Sequence, residues 1–515
     1  MDGAAGARGA PPGPWLGRAL GALLLAAVTY HAGSVAWIVA HRVGYPFELE
    51  WLEGDEFHHA LRILHGRSWY PAPSLDFFPE IYPPGYPAIC APLLAVWGGS
   101  LTAMRVVSLL ATLAALAAMV WTVRRQTGSM LWGLVSAGLF LAAYDACGAW
   151  FDVARADMLA LALALVGVAL AAGTNARPLA AVAFLALSTL VKQTSIPLLA
   201  GTVAVWLVWD WRRGLRALGA AILWLGVPVA LLQWQSAGWF WFYTVSLAST
   251  IPHHWSQVAS FWGRDVPALA GLALPVVVAA CADLRRRERR RRLELWLLPA
   301  ALLISLAGRI NPGGFTNNLL PAAAFLALAT GFGLDVLARA GHRLRPVLWL
   351  AQALVLAQFL VLRHDFAADC PRPADVAAGW AVVEKIRQLP GPVLAPYEPY
   401  LLHLSGHEMN AQFHMLNELL GAKDRGAKLD DNGMLLMLEQ QAAAGRWRSF
   451  VSSEHASLGE FRGTWVDGAA RRYFHWHAAL LPADDKRTLY PPSGNPVRPC
   501  AVYRPRASGD RDPRP

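Results

Sequence analysis

Between residues 15 and 362 the chain returns repeatedly to apolar runs, most of about 17–25 residues, the length needed to cross about 30 Å of hydrocarbon. A backbone in hydrocarbon must satisfy its N–H and C=O groups internally, so such runs fold as helices. A soluble helical protein carries one or two of them. Here about eleven are expected, at 15–40, 88–123 (one span plus a short surface helix), 129–148, 157–173, 177–191, 194–209, 216–235, 265–283, 293–307, 317–338 and 345–362. Composition agrees: 55% of the 515 residues are hydrophobic and only 16% are charged, against roughly 25% in soluble domains.

The formal net charge of +10 does not point to nucleic acid. Much of it sits in one arginine run, 285–292, between two apolar segments. Nucleic-acid binding would interleave basic and aromatic residues on a folded domain, and no such stretch is present. The run reads as a positive-inside anchor. Alternate loops carry Arg124 and Arg125, Arg177, Arg212, Arg213 and Arg216, then Arg339, Arg343 and Arg345, while the intervening loops are poor in Lys and Arg. With Arg8 and Arg18 before the first span, the N-terminus is expected in the cytoplasm, and an odd span count places the C-terminus outside. A multi-pass protein of the plasma (inner) membrane is expected.

Composition changes after Arg363. Helices are expected at 376–388, 416–420 and 433–444, and strands at 392–395 and 449–452, which makes a small α/β domain. The fold class is therefore an all-α polytopic membrane domain with a small C-terminal extracytoplasmic α/β domain. The divisions are a cytoplasmic N-terminus at 1–14, a membrane domain at 15–363 with a long first outer loop at 41–87, the α/β domain at 364–504 and a disordered tail at 505–515. Cys90, Cys147 and Cys281 lie in or beside spans and read as small buried hydrophobes. Cys370 and Cys500 bracket the outer domain, where a disulfide between them is left open.

The unusual polar residues fall in the loops assigned to the outside. The first holds Glu48, Glu50, Glu53, Asp55, Glu56, His58, His59 and His65 and ends in Tyr82-Pro83-Pro84-Gly85-Tyr86-Pro87. Within it, 57–64 has the i, i+3, i+4, i+7 pattern of an amphipathic helix that could lie along the membrane surface. Later outer boundaries give Asp152, Arg155 and Asp157, then Lys192-Gln193-Thr194, then Arg309, Asn311 and Asn317 in a Gly- and Asn-rich run. Ionisable groups at a membrane boundary are costly unless paired or hydrated, so they mark candidate sites. Carboxylates and cations together suit a reaction that moves a proton and holds an anion. Plainer readings stand beside this one: Asp55 as a helix N-cap, Asp152 with Arg155 as a local ion pair, Lys192 and Arg309 snorkelling to the interface, and His58 and His59 packing in a loop.

Taken in order, an early Asp-Glu pair, an aromatic-Pro-Pro-x-Tyr-Pro entry to a span, an Arg-x-Asp, a Lys-Gln-Thr and a Gly-Gly-x-x-Asn run resemble the GT-C superfamily, polytopic glycosyltransferases that use polyprenyl-phosphate sugars. The bacterial protein-mannosyltransferase-like and RgtA/B/C/D-like group is the branch they resemble most, over about residues 16–362. The resemblance implies sugar transfer from a polyprenyl-phosphate donor to an acceptor hydroxyl, with inversion, at the outer face of the bilayer. It implies Asp55 as general base, with Glu56 or Glu53 as alternatives, and Arg155, Asp157, Lys192, Arg309 and Asn317 near the donor. His58, Tyr82, Asp152, Gln193 and Asn311 complete the expected binding residues. The expected partners are the bilayer, the lipid-linked donor and a glycan, lipid or protein acceptor, with no nucleic acid. No cofactor is certain. Some relatives use a divalent metal and others do not, and no ligand set is evident here, so no metal site is expected. The main alternative is a transporter or flippase for a lipid-linked sugar, which would place its polar groups near the midplane on broken helices. A non-enzymatic scaffold leaves the acidic loop unexplained.

Overall fold

The computed structural model describes residues 14–172, 176–286, 291–311, 314–424, 433–461, 464–482 and 488–506. Most of the expected N-terminal segment, part of the arginine run and positions 507–515 of the expected tail lie outside them.

The membrane part begins with α1 (Pro14–Arg42), α2 (Glu53–Leu64), α3 (Gly85–Trp97), α4 (Leu101–Thr127), α5 (Met130–Ala142), α6 (Ala156–Ala171) and α7 (Pro178–Val191). It continues with α8 (Ile196–Trp209), α9 (Trp211–Ala221), α10 (Val227–Gln235), α11 (Trp239–Trp241), α12 (Ser256–Ser260), α13 (Ala273–Leu284), α14 (Leu293–Arg309), α15 (Leu320–Arg339) and α16 (Arg345–Val361). Five helices among the described residues are long and apolar enough to cross a membrane: Trp15–Arg42, Leu101–Thr127, Trp211–Gln235, Thr316–Arg339 and His342–Val361. Shorter apolar helices, including Ala156–Ala171 and Pro178–Val191, pack among them. The protein is a multi-pass membrane protein.

Local sequence sets the joints. Gly128 ends α4 at a φ of +73°, a conformation that costs glycine little, and the next residue, Ser129, caps α5 by accepting the Trp132 N–H at 3.3 Å. The Ala-rich α6 packs closely on α7, where Ser188 Oγ donates to the Ala160 carbonyl at 2.7 Å. Small residues let helix backbones approach where water supplies no driving force. The expected stretch at 88–123 divides at Gly98: α3 is the short helix and α4 the span.

Beyond α16 come α17 (Phe366–Asp369), α18 (Pro373–Arg387), α19 (Pro399–Ser405), α20 (Phe413–Asp424), α21 (Met434–Ala443) and α22 (Trp465–Tyr473). They pack on a sheet of β1 (Val393–Leu394), β2 (Ser449–His455), β3 (Gly459–Glu460), β4 (Phe474–Ala479) and β5 (Val497–Pro505), in the order β1-β2-β5-β4 with β3 beside β2. β1 runs parallel to β2, and the other pairs are antiparallel. Leu394, Phe413, Leu416, Met434, Phe450 and Phe474 form its core. All five cysteines are free, so Cys370 and Cys500 are not joined.

The helix expected to lie on the membrane surface, α2, is instead enclosed. Every residue from Glu53 to Ala60 is buried. The C-terminal domain covers it: the Phe57 ring lies 5.0 Å from that of Tyr400 and 4.8 Å from that of His403. Two arginines clamp the surrounding loop. Arg105 on α4 donates to Glu53 at 3.0 and 2.5 Å and to the Tyr45 and Phe47 carbonyls at 2.5 Å each. Arg42 donates to Asp152 at 2.9 Å, to the Ala149 carbonyl at 2.9 Å and to Ser493 of the C-terminal domain at 3.0 Å.

Candidate active site

The loops that the sequence assigns to one side of the bilayer converge on one cleft of about 1360 Å³, its open mouth included. Glu50, Trp51, Glu80 and Tyr82 come from the first loop, and Trp150 and Arg155 from the turn before α6. Lys192 and Gln193 lie between α7 and α8, Asn311 and Asn317 before α15, and His414 and Glu418 on α20.

Arg155, the residue before α6, is held between two carboxylates. Its Nη1 donates to Glu80, and its Nε lies 3.4 Å from Glu50 as an ion pair. That Nε has no hydrogen-bond partner although it is buried, and the same holds for Gln193 Oε1. Burial pushes the Glu50 carboxyl up to about 8 against the opposing pull of Arg155. Burial also raises Glu80, again opposed by Arg155. The His414 imidazole is lowered to about 4, first by burial and then by the Arg155 charge, so it is neutral at physiological pH.

Lys192 Nζ donates to Asp157 Oδ1 at 2.6 Å. Asn317 Nδ2 donates to the same oxygen at 3.0 Å, and Trp150 Nε1 to the other at 3.1 Å. The Tyr82 ring lies 5.0 Å from Lys192 Nζ and 6.0 Å from the Arg155 guanidinium, within cation–π range. Here the polar cleft meets a second, narrower one of about 420 Å³. Ala160, Leu161, Ala164, Leu198, Ile304 and Leu320 wall it, with Asp157, Lys192 and Asn317 at its polar end. The start of α6, the short turn Gln193–Ser195 leading into α8, and the turn Thr316–Leu319 leading into α15 meet at this junction. Helix starts present unpaired N–H groups and the positive end of the dipole, a setting that favours an anion.

Of the residues expected at a site, Tyr82, Arg155, Asp157, Lys192, Gln193, Asn311 and Asn317 line these two clefts. Asp55 and Glu56 do not line either. They sit behind the wall, where burial and the neighbouring Glu80 raise both carboxyls well above the usual range. Asp55 is not an N-cap either, since α2 starts two residues earlier and its carboxylate oxygens have no hydrogen-bond partner. Glu53 is spent on Arg105, and its Oε1 also accepts the Ala154 N–H at 2.6 Å. Asp152 pairs with Arg42 rather than Arg155, with Tyr144 on its other oxygen at 3.1 Å. Arg309 pairs with Asp265 at 2.8 Å and does not reach the cleft wall. His58 packs its ring 5.0 Å from that of Phe77. Glu53, Asp152 and Arg309 are each held by an opposite charge that offsets the cost of their burial.

Sequence reasoning missed Glu80, His414, Glu418 and Asn495. Glu80 had a signal, standing two residues before Tyr82 in the aromatic-Pro-Pro motif. The other three belong to the C-terminal domain, where nothing in the local pattern points to the cleft.

A multi-pass helical bundle with a carboxylate-rich cleft at the ends of its helices, covered by a small α/β domain, resembles the GT-C membrane fold. ArnT from Cupriavidus metallidurans bound to undecaprenyl phosphate matches with a TM-score of 0.57 at 14% identity, over 92% of this chain and 97% of that one. The same protein in its apo state matches with a TM-score of 0.56 at 15% identity, over 92% and 97%. No family model matches the chain, and no curated protein matches it in sequence.

Proposed function

We propose that the protein is a membrane glycosyltransferase that moves a sugar from a polyprenyl-phosphate donor to an acceptor hydroxyl on the extracytoplasmic face of the plasma membrane. One observation carries the reading. Lys192 and Asn317 stand where a polar chamber meets an apolar cleft between spans, at three converging helix starts. A molecule that is apolar along its tail and anionic at its head fits that junction, with the sugar in the chamber. The neighbouring fold has been solved with undecaprenyl phosphate bound.

In this reading the acceptor hydroxyl attacks the anomeric carbon as the bond to the phosphate oxygen breaks. Its proton passes to a carboxylate, and the departing lipid phosphate keeps the bonding pair. Fixed donors on Lys192, Asn317 and Arg155 stabilise the growing phosphate charge. Glu80 is the base we assign. It faces the chamber and is paired with Arg155, whose charge opposes the rise that burial imposes on its carboxyl, whereas Asp55 and Glu56 lie behind it. Attack opposite the phosphate inverts the anomeric centre.

A transporter would hold its polar groups on broken helices at mid-bilayer. Here Arg155, Lys192 and Asn317 all sit at helix ends.

The reading is tested with purified full-length protein and radiolabelled undecaprenyl phosphate. Saturable binding to wild type, weakened about tenfold or more in Lys192→Ala, supports it. Deletion of the gene should leave a polyprenyl-phosphate sugar accumulating and one glycan short of a residue. No binding together with no accumulating lipid overturns it.

A further inference from the structure

The helices that frame the chamber have their other ends at the opposite face of the bundle, and a further cavity opens there. α6 begins and α7 ends at the chamber, with Asp157 and Lys192. At their far ends Leu170 and Arg177 line a cavity of about 520 Å³, its open mouth included, together with Trp121 and Arg125 from the last turns of α4. The Arg177 N–H donates to the Leu170 carbonyl at 2.9 Å and so closes the α6–α7 turn beside it. The Arg125 guanidinium lies 4.9 Å from the centre of the Trp121 ring, within cation–π range. Three other arginines at this face are held by carboxylates. Arg213 lies 3.7 Å from Asp210, and Arg292 and Arg339 share Asp335 at 3.4 and 2.8 Å. Arg125 and Arg177 have no carboxylate in ion-pair reach among the described residues. From the cavity an apolar stripe runs back along α4. Leu110, Leu113, Ala117 and Trp121 are exposed, as is Arg125 after them. They fall three or four residues apart and so share one helix face. From Leu110 to Trp121 the stripe rises about 16 Å, which is about half of the roughly 30 Å hydrocarbon core.

We propose that this cavity binds the head group of an anionic phospholipid in the leaflet remote from the chamber, with an acyl chain along the α4 stripe. The proposal stands apart from the glycosyltransferase reading. What carries it is the meeting of two guanidiniums, from separate helices, with an apolar stripe one leaflet long. A lipid phosphodiester offers each guanidinium an acceptor oxygen, and it brings the negative charge that no neighbouring carboxylate supplies. The Trp121 indole stands at the boundary between the two, where its ring suits the head-group level. A free phosphate would use the arginines and leave the stripe without an occupant. A zwitterionic lipid brings a choline cation that the guanidiniums repel. Basic pockets between spans hold anionic head groups by the same balance.

Native mass spectrometry of the full-length protein in detergent tests this, with phosphatidylglycerol and phosphatidylcholine of the same chain length added in equal amounts. Phosphatidylglycerol is expected to bind about tenfold more tightly than phosphatidylcholine. Arg125→Gln combined with Arg177→Gln should lower that binding about tenfold. The control pair is Arg212→Gln with Arg216→Gln, two exposed arginines of α9, which follows α8 away from the chamber. It should leave phosphatidylglycerol binding within about twofold of wild type. Inorganic phosphate at about 10 mM should not displace the lipid. Unchanged thermal midpoints in lipid-free detergent show that the variants are folded. If the double variant melts early, Arg177→Gln alone takes its place, with a loss of about threefold. Equal binding of the two lipids overturns the proposal, as does binding unchanged in the cavity variants. A loss in the control pair as large as in the cavity pair overturns it in favour of diffuse surface charge. Displacement by inorganic phosphate overturns it in favour of a free anion.

Discussion

Lys192 Nζ donates to Asp157 Oδ1 at 2.6 Å, with both side chains buried, at the point where the polar chamber opens into the apolar cleft. The cation is held in place before any ligand arrives. Asp157 also accepts from Trp150 and Asn317, so removing either partner has unequal consequences.

Lys192→Ala leaves Asp157 with two donors and should fold, while undecaprenyl phosphate binding weakens by about 1.5–3 kcal/mol, the range for a charged hydrogen bond. Asp157→Ala leaves a buried ammonium without its carboxylate and should destabilise by about 3–5 kcal/mol. Equilibrium binding and thermal melts in detergent read the two effects separately. Equal loss of binding with unchanged stability in both would contradict the pairing.

Glu80→Gln should lower sugar transfer by about 10²–10⁴-fold, the range for a positioned base, with donor binding retained. Asp55→Asn and Glu56→Gln should cost much less, since neither carboxyl faces the chamber. Burial raises Glu80, so the rate should climb with pH as that carboxyl ionises above the usual glutamate range. A larger loss in Asp55→Asn than in Glu80→Gln returns the role to the Asp-Glu pair.

Arg105 and Glu53 form a buried pair whose guanidinium also satisfies two loop carbonyls. Arg105→Met should destabilise by about 3–5 kcal/mol because Glu53 is left charged and buried. Adding Glu53→Gln should recover part of that loss. A double variant no more stable than the single would mean that the loop carbonyls, not the carboxylate, dominate.

Glu50 has its carboxyl pushed up from 4.5 to about 8, chiefly by burial. Between these values the native chain holds a proton that the unfolded chain has released. The associated stability is therefore full below about 4.5, falls as pH rises, and levels off above about 8. Thermal midpoints in detergent should decline from pH 5 to 8, with a shallower decline in Glu50→Gln. Midpoints that climb over that interval would reverse the sign.

The membrane architecture was legible because it depends on local composition. Apolar runs long enough for the bilayer must become helices, and the alternating arginines group the loops on two sides. That grouping put Tyr82, Arg155, Asp157, Lys192 and Asn317 on one expected side, together with Asp55, Asp152 and Arg309, which do not line the clefts. The α/β character of the C-terminal domain was legible too, although β4, β5 and α22 were missed because their patterns are short and mixed.

What sequence could not decide was which of several neighbouring carboxylates faces the cleft. Glu50, Glu53, Asp55 and Glu56 fall within seven residues, and spacing alone ranks none of them. Tertiary structure sorts them by partner: Glu53 to Arg105, Glu50 to Arg155, Asp55 and Glu56 behind the wall. The chain by itself determined a helical membrane protein with a polar face at one end. Only the fold decided that Glu80 stands on the cleft, that Asp152 and Arg309 are held elsewhere, and that His414 and Asn495 join it from the far end of the chain. A buried charge settles on whichever partner offsets its lost hydration, and that partner lies tens to hundreds of residues away.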